Sequence, residues 1–276
     1  MAKSNKVTAD ASTIRNILTL RYDPTQSTSL TILSSRDYNP IETVSVEYIE
    51  KSMQEYVQNK IDKSKIKKIA VALSGGIDST LILALLRKKF PDIDVETISI
   101  KFAQSLDESE KAAKTSEFFG VKHQTIQLEN YLKELPQAIF AVGLPFWDLH
   151  WYYVVKKAHT ITKHLASGDG GDELFGGYTF RYSKFLSLIS ESATPFDKVK
   201  AYMACHERDN VPDQQDVFGP KAEFSWEKIY KSLLPYFDNK LDPLNQVFLA
   251  DYNGKLLYNF SIVNTKIHGH FEINNI

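Results

Sequence analysis

Cysteine is almost missing from this chain: Cys205 is the only one in 276 residues. A disulfide framework and a multi-cysteine zinc site are therefore excluded, and sulfur-transfer chemistry that needs paired cysteines is disfavoured. Net charge is missing too. Lys and Arg number 33 against 34 Asp and Glu, a balance of −1, so nothing draws the chain generally to nucleic acid or to acidic membranes. The locally basic stretch from Lys60 to Lys68, KIDKSKIKK, reads as a solvated helix end rather than a phosphate-backbone patch. Long apolar runs are lacking as well: no stretch approaches the about 18 residues that a spanning helix needs. Met1-Ala2-Lys3-Ser4-Asn5-Lys6 begins no signal peptide. These absences predict a cytoplasmic protein with no membrane or nucleic-acid partner. No internal repeat or low-complexity tract stands out.

What the chain does hold is enough apolar residue, 43%, for one large core or a core plus a smaller domain. The weak alternation of Leu18, Leu20 and Tyr22, then Leu30, Ile32 and Leu33, around Asp23-Pro24-Thr25-Gln26, reads as a hairpin within residues 17–35. A helix over 44–61 should follow. The core pattern is strand 67–73, helix 79–89, strand 95–102, helix 108–119 stopped by Gly120, and strand 122–128. Such alternation predicts parallel strands joined by right-handed crossovers, an α/β fold with a doubly wound, mostly parallel sheet. Ile82, Leu85, Leu86 and Phe90 mark the helix face that packs on that sheet. From about Ser183 the pattern turns helical and aromatic, broken at Pro195, Pro212, Pro220, Pro235 and Pro243. Phe224, Trp226, Tyr230, Tyr236 and Phe237 there read as helical core rather than a base-stacking platform. The expected domains are an N-terminal extension over 1–64, the α/β core over 65–182, and a helical lobe over 183–276.

Two segments carry chemistry. Ser74-Gly75-Gly76-Ile77-Asp78-Ser79 follows the apolar run Ile69-Ala70-Val71-Ala72-Leu73 and leads into Leu81-Ile82-Leu83-Ala84-Leu85-Leu86. A strand, a glycine turn and a helix in that order make an anion cradle. The paired glycines allow a tight turn and close ligand approach, while the helix N–H groups and dipole favour negative charge. Asp78 can hold a divalent cation. The usual phosphate loop ends in a lysine that reaches the β and γ phosphates, and the loop here has none. The natural guest is a pyrophosphate held with magnesium.

The second segment, Ser167-Gly168-Asp169-Gly170-Gly171-Asp172-Glu173-Leu174-Phe175-Gly176-Gly177-Tyr178, follows the short run His164-Leu165-Ala166. Its crowded carboxylates would raise one another's pKa unless a cation or a bound substrate compensates them. Oxygen-only ligands suit magnesium, which commonly takes one or two carboxylates plus substrate phosphates and water. Leu73, Phe102 and Ala166 mark strand ends, which puts both motifs on the carboxyl rim where open sheets bind ligands.

Together these segments resemble the synthetase domain of the asparagine synthetases, a branch of the ATP pyrophosphatases that also contains the β-lactam synthetases and lasso-peptide cyclases. The resemblance covers roughly residues 65 to 260. It implies that Ser74, Gly75, Gly76 and Ser79 hold the β and γ phosphates of ATP, with Asp78 and Asp172 on Mg2+. Leu73, Ile100 and Gly168 would flank the adenosine. Asp169 would be the catalytic residue that orients the amine or receives its proton. The implied reaction adenylates the aspartate side-chain carboxylate and transfers ammonia, giving asparagine, AMP and pyrophosphate.

Three departures qualify that expectation. Two-domain relatives begin with a cysteine nucleophile after the initiator methionine, where Ala2 stands here, and about 65 residues precede the core, too few for a glutaminase domain. Ammonia is then expected free or from a separate glutaminase subunit, or another amine replaces it. The segment Gly143-Leu144-Pro145-Phe146-Trp147-Asp148-Leu149-His150-Trp151 is bulky where relatives carry acidic residues before the proline and small ones after it. Trp147, Asp148 and His150 are candidates for the substrate pocket, and Trp147 and Trp151 serve equally well as core anchors with His150 a satisfied histidine. The chain ends at Ile276, whereas relatives continue through a Pro-Phe-Leu-Asp segment to a lysine that stabilises the adenylate. The expectation is a truncated form of a longer enzyme, with ATP binding kept and amide formation crippled. A different amide ligase, closing a lactam or peptide ring, and a nucleotide-binding subunit without catalysis remain the alternatives.

Overall fold

The apolar run around Ile69 is a central strand in the computed structural model, which describes residues 10–38, 44–102, 108–146, 148–206, 214–237 and 241–276. In chain order the elements are α1 (Ala11–Leu20), α2 (Val46–Ser64), β1 (Lys68–Ala72), α3 (Ile77–Lys89), β2 (Asp94–Phe102), α4 (Glu108–Phe118) and β3 (Lys122–Leu128). They continue with α5 (Leu135–Val142), α6 (Leu149–His159), β4 (His164–Ala166), α7 (Gly171–Phe175), α8 (Thr179–Leu188) and α9 (Pro195–Cys205). The last are α10 (Gln214–Val217), α11 (Trp226–Leu233), α12 (Pro243–Asp251), α13 (Thr265–His270) and β5 (Asn274–Asn275). Two units divide the chain. The α/β unit takes the described residues of Pro40–Ala141, Asp148–Asp169 and Lys266–Ile276, and the helical unit those of Met1–Asn39, Val142–Trp147 and Gly170–Thr265.

The sheet of the α/β unit runs β3-β2-β1-β4-β5, and every ladder in it is parallel. The chain moves outward from β1 through β2 to β3, then returns to the other side of β1 for β4 and β5. With right-handed crossovers that reversal puts helices on both faces, the doubly wound arrangement expected from the alternation. The two-residue β5 escaped the sequence reading because so short a polar pair carries no period. It lies with His164 opposite Asn274 and Leu165 opposite Asn275, held by the Asn274 N–H donating to the Lys163 carbonyl at 2.7 Å and the Ile276 N–H to the Leu165 carbonyl at 3.0 Å.

Ile69 and Val71 of β1, Leu83 and Leu86 of α3, Ala112 of α4 and Ala166 of β4 share one apolar core. On α3 the fully covered residues are Leu83 and Leu86, and Ile82 is only partly buried. Residues 81–86 are all apolar, so periodicity could not choose between these neighbours. Between β2 and β3 the interior is polar but paired. The His123 ring lies 2.8 Å from Thr97 Oγ1 through Nδ1 and 3.0 Å from Ser99 Oγ through Nε2. Ser116 Oγ of α4 closes the group at 2.7 Å from Thr97 Oγ1. Buried hydroxyls and imidazole without such partners would be costly.

The expected hairpin within residues 17–35 is not formed. Residues 11–20 are helical instead, because Asp10 caps the first turn by accepting from the Thr13 N–H at 2.7 Å and Arg21 closes the last at φ 66°. The Asp23 carboxylate, which the sequence placed at a hairpin tip, accepts from Asn16 Nδ2 at 2.9 Å and from the Thr25 N–H at 3.0 Å. Local side-chain capping of this kind overrides weak alternation. Among the described residues the helical unit contains no strand. Pro195 and Pro243 stand at first helical positions, where the missing N–H costs nothing; Pro212 lies outside the described residues. Of the five aromatics read as core, Phe237 is fully buried. Phe224, Trp226 and Tyr230 form a half-buried ladder with ring centroids 5.1 and 5.9 Å apart.

Candidate active site

Glycine at position 75 is required by its backbone, at φ +77°. Gly75 and Gly76 turn the chain from β1 into α3, and Gly76 caps that helix without a side chain of its own. The two serines fold inward across the turn. The Ser74 and Ser79 hydroxyls are 3.1 Å apart, the Ser74 N–H donates to Ser79 Oγ at 3.2 Å, and the Gly76 N–H donates to Ser74 Oγ at 3.2 Å. The Thr80 hydroxyl donates to the Gly76 carbonyl at 2.7 Å. Ser74 and Gly76 are exposed, whereas Ser79 is buried and Asp78 half-buried on the first turn of α3. The result is an exposed turn of hydroxyls and backbone N–H groups at the N-terminus of a helix, bonded to one another and of the chemical type that a polyphosphate takes as donors.

Gly168 brings the first residues of the second motif, Ser167-Gly168-Asp169, to this cradle. A Cβ at that position would lie 2.5 Å from the Asp78 carbonyl carbon and 2.5 Å from the Ser79 nitrogen, so the two chain segments touch backbone to backbone. Leu73 and Ile100 stand at the carboxyl ends of neighbouring strands, with the Leu73 N–H donating to the Ile98 carbonyl at 2.8 Å. Asp169 is exposed, one residue beyond Gly168. Leu73, Ser74, Gly75, Gly76, Asp78, Ser79, Ile100, Gly168 and Asp169 all belong to the α/β unit, and Asp172 belongs to the helical unit.

Asp148 and His150 face each other, His150 Nε2 lying 2.7 Å from Asp148 Oδ1. The backbone N–H of His150 donates to the Tyr131 hydroxyl at 3.1 Å, and the Tyr131 ring meets that of Phe102, the last residue of β2, edge-on at 5.4 Å. Burial would lower the His150 pKa, but the Asp148 hydrogen bond and charge, with a further contribution from the Asp169 charge, raise it on balance. Trp147 lies outside the described residues.

Within the helical unit the rest of the second motif is locked by groups that motif reading did not reveal. The Asp172 carboxylate lies over the Gly177 α-carbon so closely that any Cβ there would collide with Oδ1. Tyr178 donates its hydroxyl to Glu173 Oε1 at 2.8 Å. The Arg181 guanidinium carbon stands 3.9 Å above the centre of the Tyr178 ring, and its Nη2 donates to Asp251 Oδ2 at 2.8 Å. Tyr202 donates to the other Asp251 oxygen at 2.7 Å. Burial would raise the Asp251 pKa; His206, Arg181 and Tyr202 together outweigh it and hold the carboxylate below its usual range. Nothing in the spacing of Arg181 and Asp251 announces that they meet.

Among the described residues no group of three or more His, Cys, Asp or Glu side chains is clustered closely enough to hold a metal. Magnesium, with its preference for few carboxylates and for substrate phosphates and water, needs no such cage. Asp78 on the rim of a hydroxyl-lined cradle fits that chemistry.

A sequence model of the asparagine synthase family matches residues 49–259, and the chain belongs to that family. Asparagine synthetase [glutamine-hydrolyzing] 1 of Bacillus subtilis is 29% identical over 192 residues, covering 61% of this chain and 29% of that protein. A putative glutamine-hydrolyzing asparagine synthetase of Mycobacterium tuberculosis is 32% identical over 134 residues, covering 47% of this chain and 20% of that protein. The matched part of this chain thus spans less than a third of either relative. Among solved structures, the NH3-dependent NAD synthetase of Campylobacter jejuni aligns with a TM-score of 0.36 at 15% identity, covering 68% of this chain and 93% of that one. No helix among the described residues is long and apolar enough to cross a membrane.

Proposed function

We propose that this chain is the synthetase portion of an ATP-dependent amide-forming ligase. It adenylates the side-chain carboxylate of aspartate and passes ammonia to the acyl group, yielding asparagine, AMP and pyrophosphate in the cytoplasm. A carboxylate oxygen attacks the α phosphorus as the bond to the bridging oxygen breaks and pyrophosphate leaves. Ammonia then attacks the acyl carbon, AMP departs, and the nitrogen gives up a proton. The observation that carries the reading is the backbone contact of Gly168 with Asp78 and Ser79. It supports a single nucleotide site shared by two motifs that are far apart in sequence.

In this reading the Ser74 and Ser79 hydroxyls and the backbone of Gly75 and Gly76 grip the β and γ phosphates and orient the leaving group in line. Leu73, Ile100 and Gly168 flank the adenosine. Asp78, and Asp172 from the second motif, would hold magnesium, which when bound neutralises charge on the departing pyrophosphate. Asp169 orients the amine or takes its proton, a task of geometry more than of an extreme pKa. Asp148 and His150 meet the second substrate, and the ammonia is free or delivered by a glutaminase.

The test is pyrophosphate release from Mg-ATP with aspartate, with and without ammonium, for the wild-type chain and for Asp78→Ala and Asp172→Ala. Aspartate-dependent release in the wild type, abolished in both variants, is expected; asparagine formed on addition of ammonium would assign the whole ligation to this chain, and release without asparagine would assign it the adenylating half-reaction. ATP binding without release, whatever carboxylate is offered, would replace this reading with a nucleotide-binding role.

A further inference from the structure

The cradle has an electrostatic deficit. A triphosphate brings several negative charges to a turn whose own ionisable side chain, Asp78, is also negative, and no lysine stands in the loop to answer them. Hydroxyls, N–H groups and a helix dipole carry only partial charges, and one magnesium ion would offset only two of the negative charges.

The structure supplies a cation from another element. Gly75 is overlaid by α4: a Cβ on Gly75 would stand 3.2 Å from both Cβ and Cγ of Lys111 and 3.3 Å from the Ala112 nitrogen. The first two carbons of the Lys111 side chain therefore rest on the glycine turn itself, and the rest of an exposed side chain extends beyond it. What sets this placement is the face that α4 turns to the sheet. Ser109, Ala112 and Ser116 are its buried residues, three and four apart, which leaves Lys111 on the flank beside Gly75. Lys111 forms no ion pair with a described residue, whereas its neighbour Glu110 is engaged by Lys114 at 2.7 Å. Replacement of Gly75 by a larger residue would push Lys111 away as well as straining the turn.

We propose that Lys111 is the phosphate-binding lysine of this site, delivered from α4 instead of from the loop, and that its ligand is the β,γ-pyrophosphate portion of a nucleoside triphosphate. The inference rests on the nucleotide reading above and extends it to a residue outside both motifs. A lysine stem lying along apolar and backbone surface with its ammonium free is a compact, mobile point charge suited to an oxyanion that must be held and then released.

The test compares ATP, inorganic pyrophosphate and AMP, each with magnesium, by calorimetric titration of the wild type, Lys111→Met and Lys111→Arg. Lys111 is exposed, so the variants should fold, and unchanged far-UV circular dichroism and melting temperature establish that they do. Loss of one charge-assisted contact predicts that Lys111→Met binds ATP and pyrophosphate about tenfold or more weakly. AMP, which lacks the β and γ phosphates, should bind as in the wild type, and Lys111→Arg should recover most of the affinity. Unchanged pyrophosphate affinity in Lys111→Met, or an equal loss for AMP, would overturn the assignment. A wild-type chain that binds neither ATP nor pyrophosphate would overturn the cradle reading along with it, and this outcome is distinct because it appears before any substitution.

Discussion

The α-carbon of Gly168 is pressed against the peptide between Asp78 and Ser79, so closely that a Cβ would stand 2.5 Å from two backbone atoms. Backbone cannot swing aside as a side-chain tip can. Gly168→Ala should therefore separate the strand ends that carry the two motifs and weaken ATP binding by at least about tenfold. Calorimetric titration with Mg-ATP checks this, with Gly219→Ala, whose Cβ would meet nothing within 4 Å, as the control expected to bind normally.

Gly177 makes room for a carboxylate rather than for backbone. Gly177→Ala would displace the Asp172 side chain and leave the Gly75 cradle as it is. The expected result is a higher magnesium requirement for pyrophosphate release, with ATP affinity less affected than in Gly168→Ala. A magnesium titration of both variants distinguishes them, and an unchanged magnesium requirement in Gly177→Ala would remove Asp172 from the proposed metal ligands.

Arg181 and Asp251 form a buried pair at 2.8 Å, and Tyr202 completes the carboxylate's hydrogen bonds. Removing one partner strands the other charge in the interior, which costs about 3–5 kcal/mol. Asp251→Leu should be destabilised by that order. Arg181→Met combined with Asp251→Leu should recover part of the loss, a non-additivity read by chemical denaturation as a double-mutant cycle.

Stability should fall on acidification through the histidine range. Burial lowers the pKa of His123 and of His164, and lowers that of His268 to about 4. Each of these rings is favoured neutral in the folded state, so the unfolded chain binds more protons once the pH drops below about 6.5. The stabilisation is complete above that value and is lost as the pH falls towards each folded value, on the order of 3 kcal/mol for His268 alone. His150 runs the other way: its raised pKa contributes stability below about 6.5 that disappears as the pH rises through the folded value. Melting temperatures between pH 4 and 8 test the sum. His268→Leu, which removes a ring packed 5.7 Å from that of Trp151, should flatten the acid limb.

The parts of this protein that depend on near neighbours are legible in its residues alone. Glycines between an apolar strand and an apolar helix are legible because the turn geometry is local, and β1, α3, β2, α4 and β3 stand within a few residues of where hydrophobic period puts them. The motifs, and through them the family, were legible for the same reason. The weak alternation after Ile17 misled because Asp10, Asn16 and Asp23 satisfy their backbone and one another through side-chain hydrogen bonds that a hydrophobic pattern does not register. That Gly168 meets Asp78, that Lys111 lies on Gly75 and that Arg181 finds Asp251 follow from the packed fold and from no local pattern. Each of these joins residues far apart in the chain, and their approach is set by strand order, helix rotation and close packing, quantities that no short window of sequence contains.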